Sequence, residues 1–209
     1  LMKYRLVLFD VDSTLIEQEV IDLLGALASR GEEVSRITAQ AMAGELNFDE
    51  ALKARVALLK GLPESVFQDV LGDISFTPGA ESLIDELRRS DYRIGVVSGG
   101  FLNVLDSLLK DFNFNFVRAN SLEVVDGYLT GQTKGTVINR RGKAQALKDF
   151  ADMSGVQLSE CVAVGDGSND LEMIQLAGLG VSYRGKEILN QAADVVIEEP
   201  GLDQLLKYL

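Results

Sequence analysis

Leu6-Val-Leu-Phe-Asp-Val-Asp-Ser-Thr-Leu15 is the stretch from which the fold can be read. An apolar run of large side chains leads directly into Asp10 and Asp12, with Ser13 and Thr14 at once behind them. Such a run reads as a buried strand of a parallel sheet. A buried strand that stops in acid sets its carboxylates at the sheet's carboxyl edge, where open α/β sheets bind ligands. Residues two apart on an extended backbone share a side, so Asp10 and Asp12 are expected close together. Two like charges at that distance perturb each other's titration and call for a cation or a proton.

Asp and Ser are also ordinary turn residues, so the stretch by itself leaves a plain polar turn open. A calcium loop of the EF-hand kind is excluded. It needs glycine at its sixth position and glutamate at its twelfth, and Leu15 and Ile21 stand there.

The chain has 209 residues, enough for one sizeable core or a core with a small appendage. Twenty basic against 32 acidic residues give a net charge of −12, which argues against nucleic acid and anionic membranes as partners. An anionic substrate then needs a local cluster of positive charge. The single cysteine, Cys161, excludes an internal disulfide and fits a reducing, cytoplasmic setting. Histidine is absent, which removes Ser-His-Asp and Cys-His catalysis and the usual zinc sites. Acid–base work falls to other groups, and a metal would be held by oxygen, as magnesium is. The apolar run behind Lys3 and Arg5 is too short for a signal peptide or a membrane span.

From Ile16 to about Leu71 the periodicity is helical, with helices expected over 17–29, 32–44, 48–60 and 64–71. This block is too long for a simple crossover and reads as a helical cap, residues 16–75, over the sheet's carboxyl edge. Residues 1–15 and 76–209 form the expected core. Strands are expected at 92–97, 114–117, 161–164, 180–182 and 194–197, with helices at 80–89, 101–111 and 140–153. Asp126-Gly127 between alternating residues signals a hairpin flap at about 119–137. Alternating strands and helices give a doubly wound, Rossmann-like parallel sheet.

Three expected strands end in polar loops, the last two containing glycine: Asp10-x-Asp12, Ser98-Gly99-Gly100 and Asp166-x-x-Asn169-Asp170. Each loop has a dull explanation as a turn. Together, at one sheet edge, they supply the parts of a phosphoryl-transfer site. A carboxylate can attack phosphorus, backbone N–H groups and Ser98 can cradle an anion, and Asp166 can complete an oxygen site for magnesium. Lys143, in a helical first turn on the side of Leu147 and Phe150, adds fixed positive charge against the helix dipole. Its alternative is a solvated surface lysine.

In that order these motifs resemble those of the haloacid dehalogenase superfamily, and the resemblance covers essentially the whole chain. The segments Glu17–Ile21, Ala41–Phe48 and Leu52–Lys60 resemble the substrate-binding helices of its members that hydrolyse O-phospho-L-serine. The resemblance implies Asp10 as nucleophile and Asp12 as general acid, then base. It implies Ser98, Gly99, Gly100, Lys143 and Asn169 around the phosphate. It places Mg2+ on Asp10, Asp166 and the backbone carbonyl of Asp12, with Asp170 in support. Glu19 and Arg55 would bind the serine ammonium and carboxylate, and Met42 and Phe48 would line the pocket.

Spacing tests two of these. Phe48, Ala51, Leu52 and Leu59 form one helical face with Arg55 in its middle. An arginine on an apolar stripe is costly unless paired, and its fork suits a carboxylate; an internal salt bridge is the alternative. Glu19 and Glu17 are equally well placed by periodicity, so the choice of Glu19 rests on the resemblance. The expected partner is a small molecule, met by a monomer or homodimer. Rival readings keep the chemistry with another amino-alcohol phosphate or an alcohol acceptor, or make the chain a receiver-like signalling domain.

Overall fold

A computed structural model describes residues 3–42 and 45–209, without the side chain of Met42. In chain order the elements are β1 (Leu6–Phe9), α1 (Val20–Leu27), α2 (Gly31–Met42), α3 (Phe48–Ala57), α4 (Val66–Asp69) and α5 (Ala80–Arg89). Then come β2 (Arg93–Phe101), α6 (Leu102–Leu108), β3 (Phe116–Val125), β4 (Tyr128–Lys134), α7 (Arg140–Ser154) and β5 (Cys161–Gly165). The chain closes with α8 (Leu171–Leu176), β6 (Leu179–Tyr183), α9 (Glu187–Asn190) and β7 (Val195–Ile197).

The strands form one sheet in the order β4-β3-β2-β1-β5-β6-β7, parallel except for β4. β1 lies between β2 and β5, with Phe9 paired to Val96 on one side and Val164 on the other. All four β1 side chains are buried. Successive residues face opposite sides, and Val7 and Phe9 join one core while Leu6 and Leu8 join the other. The sheet is therefore covered on both faces, as a continuous apolar strand requires.

α7 shows how its docking is written in the sequence. Asn139 caps its start and Gly155, at φ 62°, ends it. Phe150 packs on the sheet over Gly95, where a Cβ would lie 2.7 Å from its ring, and stacks on Phe116 with centroids 4.9 Å apart. The β3–β4 turn is the expected hairpin, with Asp126 at φ 51° and Gly127 at φ 80°, as a two-residue primed turn demands.

Three expectations are corrected. Ser98-Gly99-Gly100 is not a loop behind the second strand, because β2 runs through it to Phe101. Its register with β3 shifts between Ser98 and Phe101, and glycines tolerate such an irregularity. The short strand expected at 114–117 is continuous with the flap's first arm in β3. It pairs in parallel with β2 and then, farther along, antiparallel with β4. The helix expected at 64–71 is shorter, α4 running into a 3₁₀ turn at Val70–Asp73.

Between β1 and α5 the chain leaves and returns at one place. Ile16 and Phe76 form an antiparallel bridge, Glu17 N–H donates to Ser75 O at 3.0 Å, and Thr77 N–H donates to Leu15 O at 2.9 Å. α3 opens with a reciprocal cap, Asn47 Oδ1 accepting from Glu50 N–H and Glu50 accepting from Asn47 N–H, both at 2.9 Å. No described helix is long and apolar enough to cross a membrane.

Candidate active site

The central position of β1 brings the ends of β1, β2 and β5 together, and a cavity of about 330 Å³ opens above them. Its floor carries Asp10, Asp12, Gly99, Gly100, Asp166 and Asn169, and its roof carries Glu19, Thr38, Phe48 and Arg55 from α1 to α3 and their ends. Asp10 N–H still donates to Val164 O at 2.8 Å. Its backbone is thus anchored in the sheet while its carboxylate stands at the rim.

Lys143 is fully buried, so the surface-lysine alternative fails. Its Nζ lies 2.7 Å from Asp10 Oδ1 and 2.7 Å from Asp170 Oδ1. Asp170 is saturated on its other oxygen, which accepts from Asp166 N–H at 3.1 Å and Gly167 N–H at 3.0 Å. Asp166 Oδ1 accepts from the buried Thr14 hydroxyl at 3.0 Å. Asp12 Oδ2 accepts from Val20 N–H at 3.3 Å, and Asp12 Oδ1 is buried with no partner.

Burial, then the neighbouring Asp170, pushes Asp10 well above the usual carboxylate range despite Lys143. Asp12 is raised by burial and by Glu19. Asp166 is pushed up to about 7 by burial, Asp170 and Glu19. For Lys143 burial works downward, but Asp10 and Asp170 outweigh it and hold the proton more firmly than in water. A simple ion pair would lower its acid partner. Here several carboxylates share one ammonium, and they compete for it.

Asp10, Asp166 and Asp170 each offer an oxygen, all within 4.8 Å of one another. Three carboxylates against one ammonium leave two negative charges for a divalent cation to balance. The donors are all oxygen, which suits a hard ion.

Above the floor, Ser13 takes a left-handed backbone at φ 58°, and its hydroxyl donates to Glu19 Oε1 at 2.6 Å. Glu17, the rival of Glu19, lies outside the cavity and accepts from Ser75 Oγ at 3.2 Å. Arg55 donates from Nε to Ala51 O and from Nη1 to Thr38 Oγ1, both at 3.3 Å, and has no ion pair among the described residues. Burial lowers its pKa, with Glu19, Asp22 and Asp12 acting in opposition from a distance. The internal salt bridge is therefore not formed.

Phe48 lies over Gly99, where a Cβ would meet its ring at 3.1 Å. Ser98 sits beneath the cavity, its Oγ accepting from Gly100 N–H at 2.8 Å. The expected contribution of Met42 lies outside the described residues. Sequence reasoning missed Thr14, Asp22, Thr38, Asn120 and Lys186. Asn120 is buried, donating to Gly99 O at 2.8 Å and accepting from Ile138 N–H at 2.7 Å. An unexplained amide in a short strand, just ahead of the hairpin, was the available signal.

Residues 7–175 match the profile of the haloacid dehalogenase-like hydrolases, and the chain belongs to that family. The receiver-like reading is thereby set aside. Over 205 residues, 98% of this chain, it is 50% identical to the phosphoserine phosphatase of Streptomyces coelicolor, of which it spans 50%. It is 47% identical over 204 residues to the phosphoserine phosphatase of Streptococcus thermophilus, covering 98% of this chain and 95% of that one. A solved phospho-aspartyl intermediate analogue of phosphoserine phosphatase superposes with a TM-score of 0.93 at 42% identity, over 99% of both chains. A substrate-bound phosphoserine phosphatase complex gives 0.93 at 41%, again over 99% of each.

Proposed function

We propose that this chain hydrolyses O-phospho-L-serine to L-serine and phosphate with Mg2+, through an aspartyl phosphate on Asp10, as the last step of serine biosynthesis in the cytoplasm. The observation that carries this is the contrast between two carboxylates at one strand tip. Asp10 is oriented by Lys143 at 2.7 Å, whereas Asp12 Oδ1 is buried without a partner. This contrast supports Asp10 as the attacking group and Asp12 as the proton carrier.

In the first step an Asp10 oxygen attacks phosphorus in line, and the bond to the serine oxygen breaks. Asp12, shifted toward its protonated form by burial and by Glu19, donates its proton to that oxygen, and serine leaves. Asp12 then takes a proton from water, whose oxygen attacks phosphorus and releases phosphate and the Asp10 carboxylate. Lys143, Asn169 and the N–H group of Gly99 neutralise charge on the phosphoryl oxygens, with Ser98 as a further donor oriented by Gly100 N–H. Bound Mg2+, held by Asp10, Asp166 and the Asp12 carbonyl with Asp170 behind, would screen Asp10 from the incoming phosphate and share the developing charge.

Arg55, which has no ion pair among the described residues, suits the serine carboxylate, and Glu19 suits the ammonium. We assign residues 16–75 as a cap that closes over the site and excludes water. The paired crossing at Ile16 and Phe76 supports this, since both connections pass one point. The enzyme is proposed to act as a monomer or homodimer.

A panel of phosphomonoesters, with and without Mg2+, tests the proposal. Phosphoserine is expected to give the highest kcat/KM, with activity lost on chelation. Equal turnover of esters lacking an amino acid group would overturn the substrate assignment.

A further inference from the structure

Apolar burial of Ala51, Leu52 and Val56 seats the middle of α3, and its hydrogen bonds to the sheet side of the molecule lie at its two ends. Beyond its C-terminus, backbone hydrogen bonds join it to the hairpin: Gly61 N–H to Leu129 O and Leu129 N–H to Leu62 O at 2.8 Å, and Glu64 N–H to Gly127 O at 2.9 Å. Between the ends runs a groove of about 580 Å³, with Leu52, Val56 and Ala57 on one wall and Thr130 and Gly131 on the other. At the N-terminal end the polar tie consists of side chains alone. Asn139 Nδ2 donates to Asp49 Oδ1 at 3.1 Å and Oδ2 at 3.2 Å, while Asn139 Oδ1 accepts from Gly142 N–H at 3.2 Å. The amide orientation is fixed by both partners, since only oxygen can accept from Gly142 and only NH2 can donate to a carboxylate.

We propose that Asp49 and Asn139 form the latch that keeps α3 closed over the site, with Asn139 a positioning residue for both halves of it. Its oxygen starts the helix that carries Lys143, and its NH2 holds the first turn of the helix that carries Arg55 and Phe48. The base of the latch is stiff, because Ile138 N–H is tied through Asn120 to Gly99 O. One amide thus registers the phosphate side of the cavity against the side that reads the amino acid. This role rests on the substrate assignment above only for what the latch does to turnover.

Asn139→Asp keeps a capping oxygen on α7 and sets a carboxylate against Asp49. The expected result is a drop of about tenfold in kcat/KM for phosphoserine, carried mainly by KM, with the melting temperature held within about 2 °C. Amide hydrogen exchange is expected to quicken in residues 48–51 and stay unchanged in the first turn of α7. Adding Asp49→Asn reverses donor and acceptor, and is expected to return kcat/KM to within about twofold and to restore protection. Asp49→Ala, a change at an exposed side chain, is expected to quicken exchange in α3 in the same way. Unchanged exchange in both single variants, or a double variant no better than Asn139→Asp, would overturn the latch. The exchange arm needs no substrate. A chain inert toward phosphoserine would therefore remove the substrate assignment and leave the latch to be decided by exchange.

Discussion

Lys143 Nζ stands 2.7 Å from Asp10 Oδ1, joining the first turn of α7 to the tip of β1 through two buried side chains. The ammonium does two things there. It fixes the orientation of the carboxylate proposed to attack, and it offsets part of the repulsion among Asp10, Asp166 and Asp170.

Asp10→Asn keeps the shape and removes the nucleophile. Turnover is expected to fall by at least about a thousandfold. The melting temperature is expected to stay equal or rise, because a carboxylate pushed upward by burial and Asp170 is replaced by a neutral group. Activity near that of the parent chain would exclude Asp10 as nucleophile.

Lys143→Met leaves Asp10 and Asp170 facing each other in the interior. Breaking a buried pair costs about 3–5 kcal/mol, and urea unfolding in the presence of a chelator is expected to show a loss of this order. A smaller loss with Mg2+ present would agree with a cation replacing part of the missing charge. No loss in chelator would mean that the pair is not formed in solution.

Stability should depend on pH and metal together. Asp166 moves from 3.8 to about 7 on folding, so between those values the folded state binds more protons than the unfolded one. Stability of the metal-free protein from this group is then greatest at low pH and falls as pH rises toward 7. Asp10 and Asp12 act in the same direction. A divalent cation competes with those protons, so its gain in melting temperature is expected to be larger at pH 8 than at pH 5.5. Equal gains at both would contradict carboxylate ligation.

Arg55→Ala separates substrate reading from chemistry. It is expected to lower kcat/KM for phosphoserine by about a hundredfold while a plain aryl phosphate loses little. Equal losses on both would argue against a carboxylate bound by Arg55.

Gly100→Ala tests the tightness of the floor. Its Cβ would lie 3.0 Å from Ser98 Oγ and 3.1 Å from Asp12 Oδ2. Activity is expected to fall at least about tenfold, because a shift of this size misplaces an acid that must reach one oxygen. Full activity would show that Asp12 has room to move.

The sequence by itself determined the central strand, the helical insert behind it and the flap. Leu6–Phe9 can only be buried on both sides, and Asp126-Gly127 can only turn. It also marked Asp10, Asp12, Asp166 and Lys143, because residue type and order carry that information. Only the tertiary structure decided which glutamate faces the cavity, that Arg55 has no ion pair among the described residues, and which partners Asn120 and Asn139 take. Those outcomes depend on distances between residues far apart along the chain, and one-dimensional periodicity fixes the side a residue takes but not the partner it meets there.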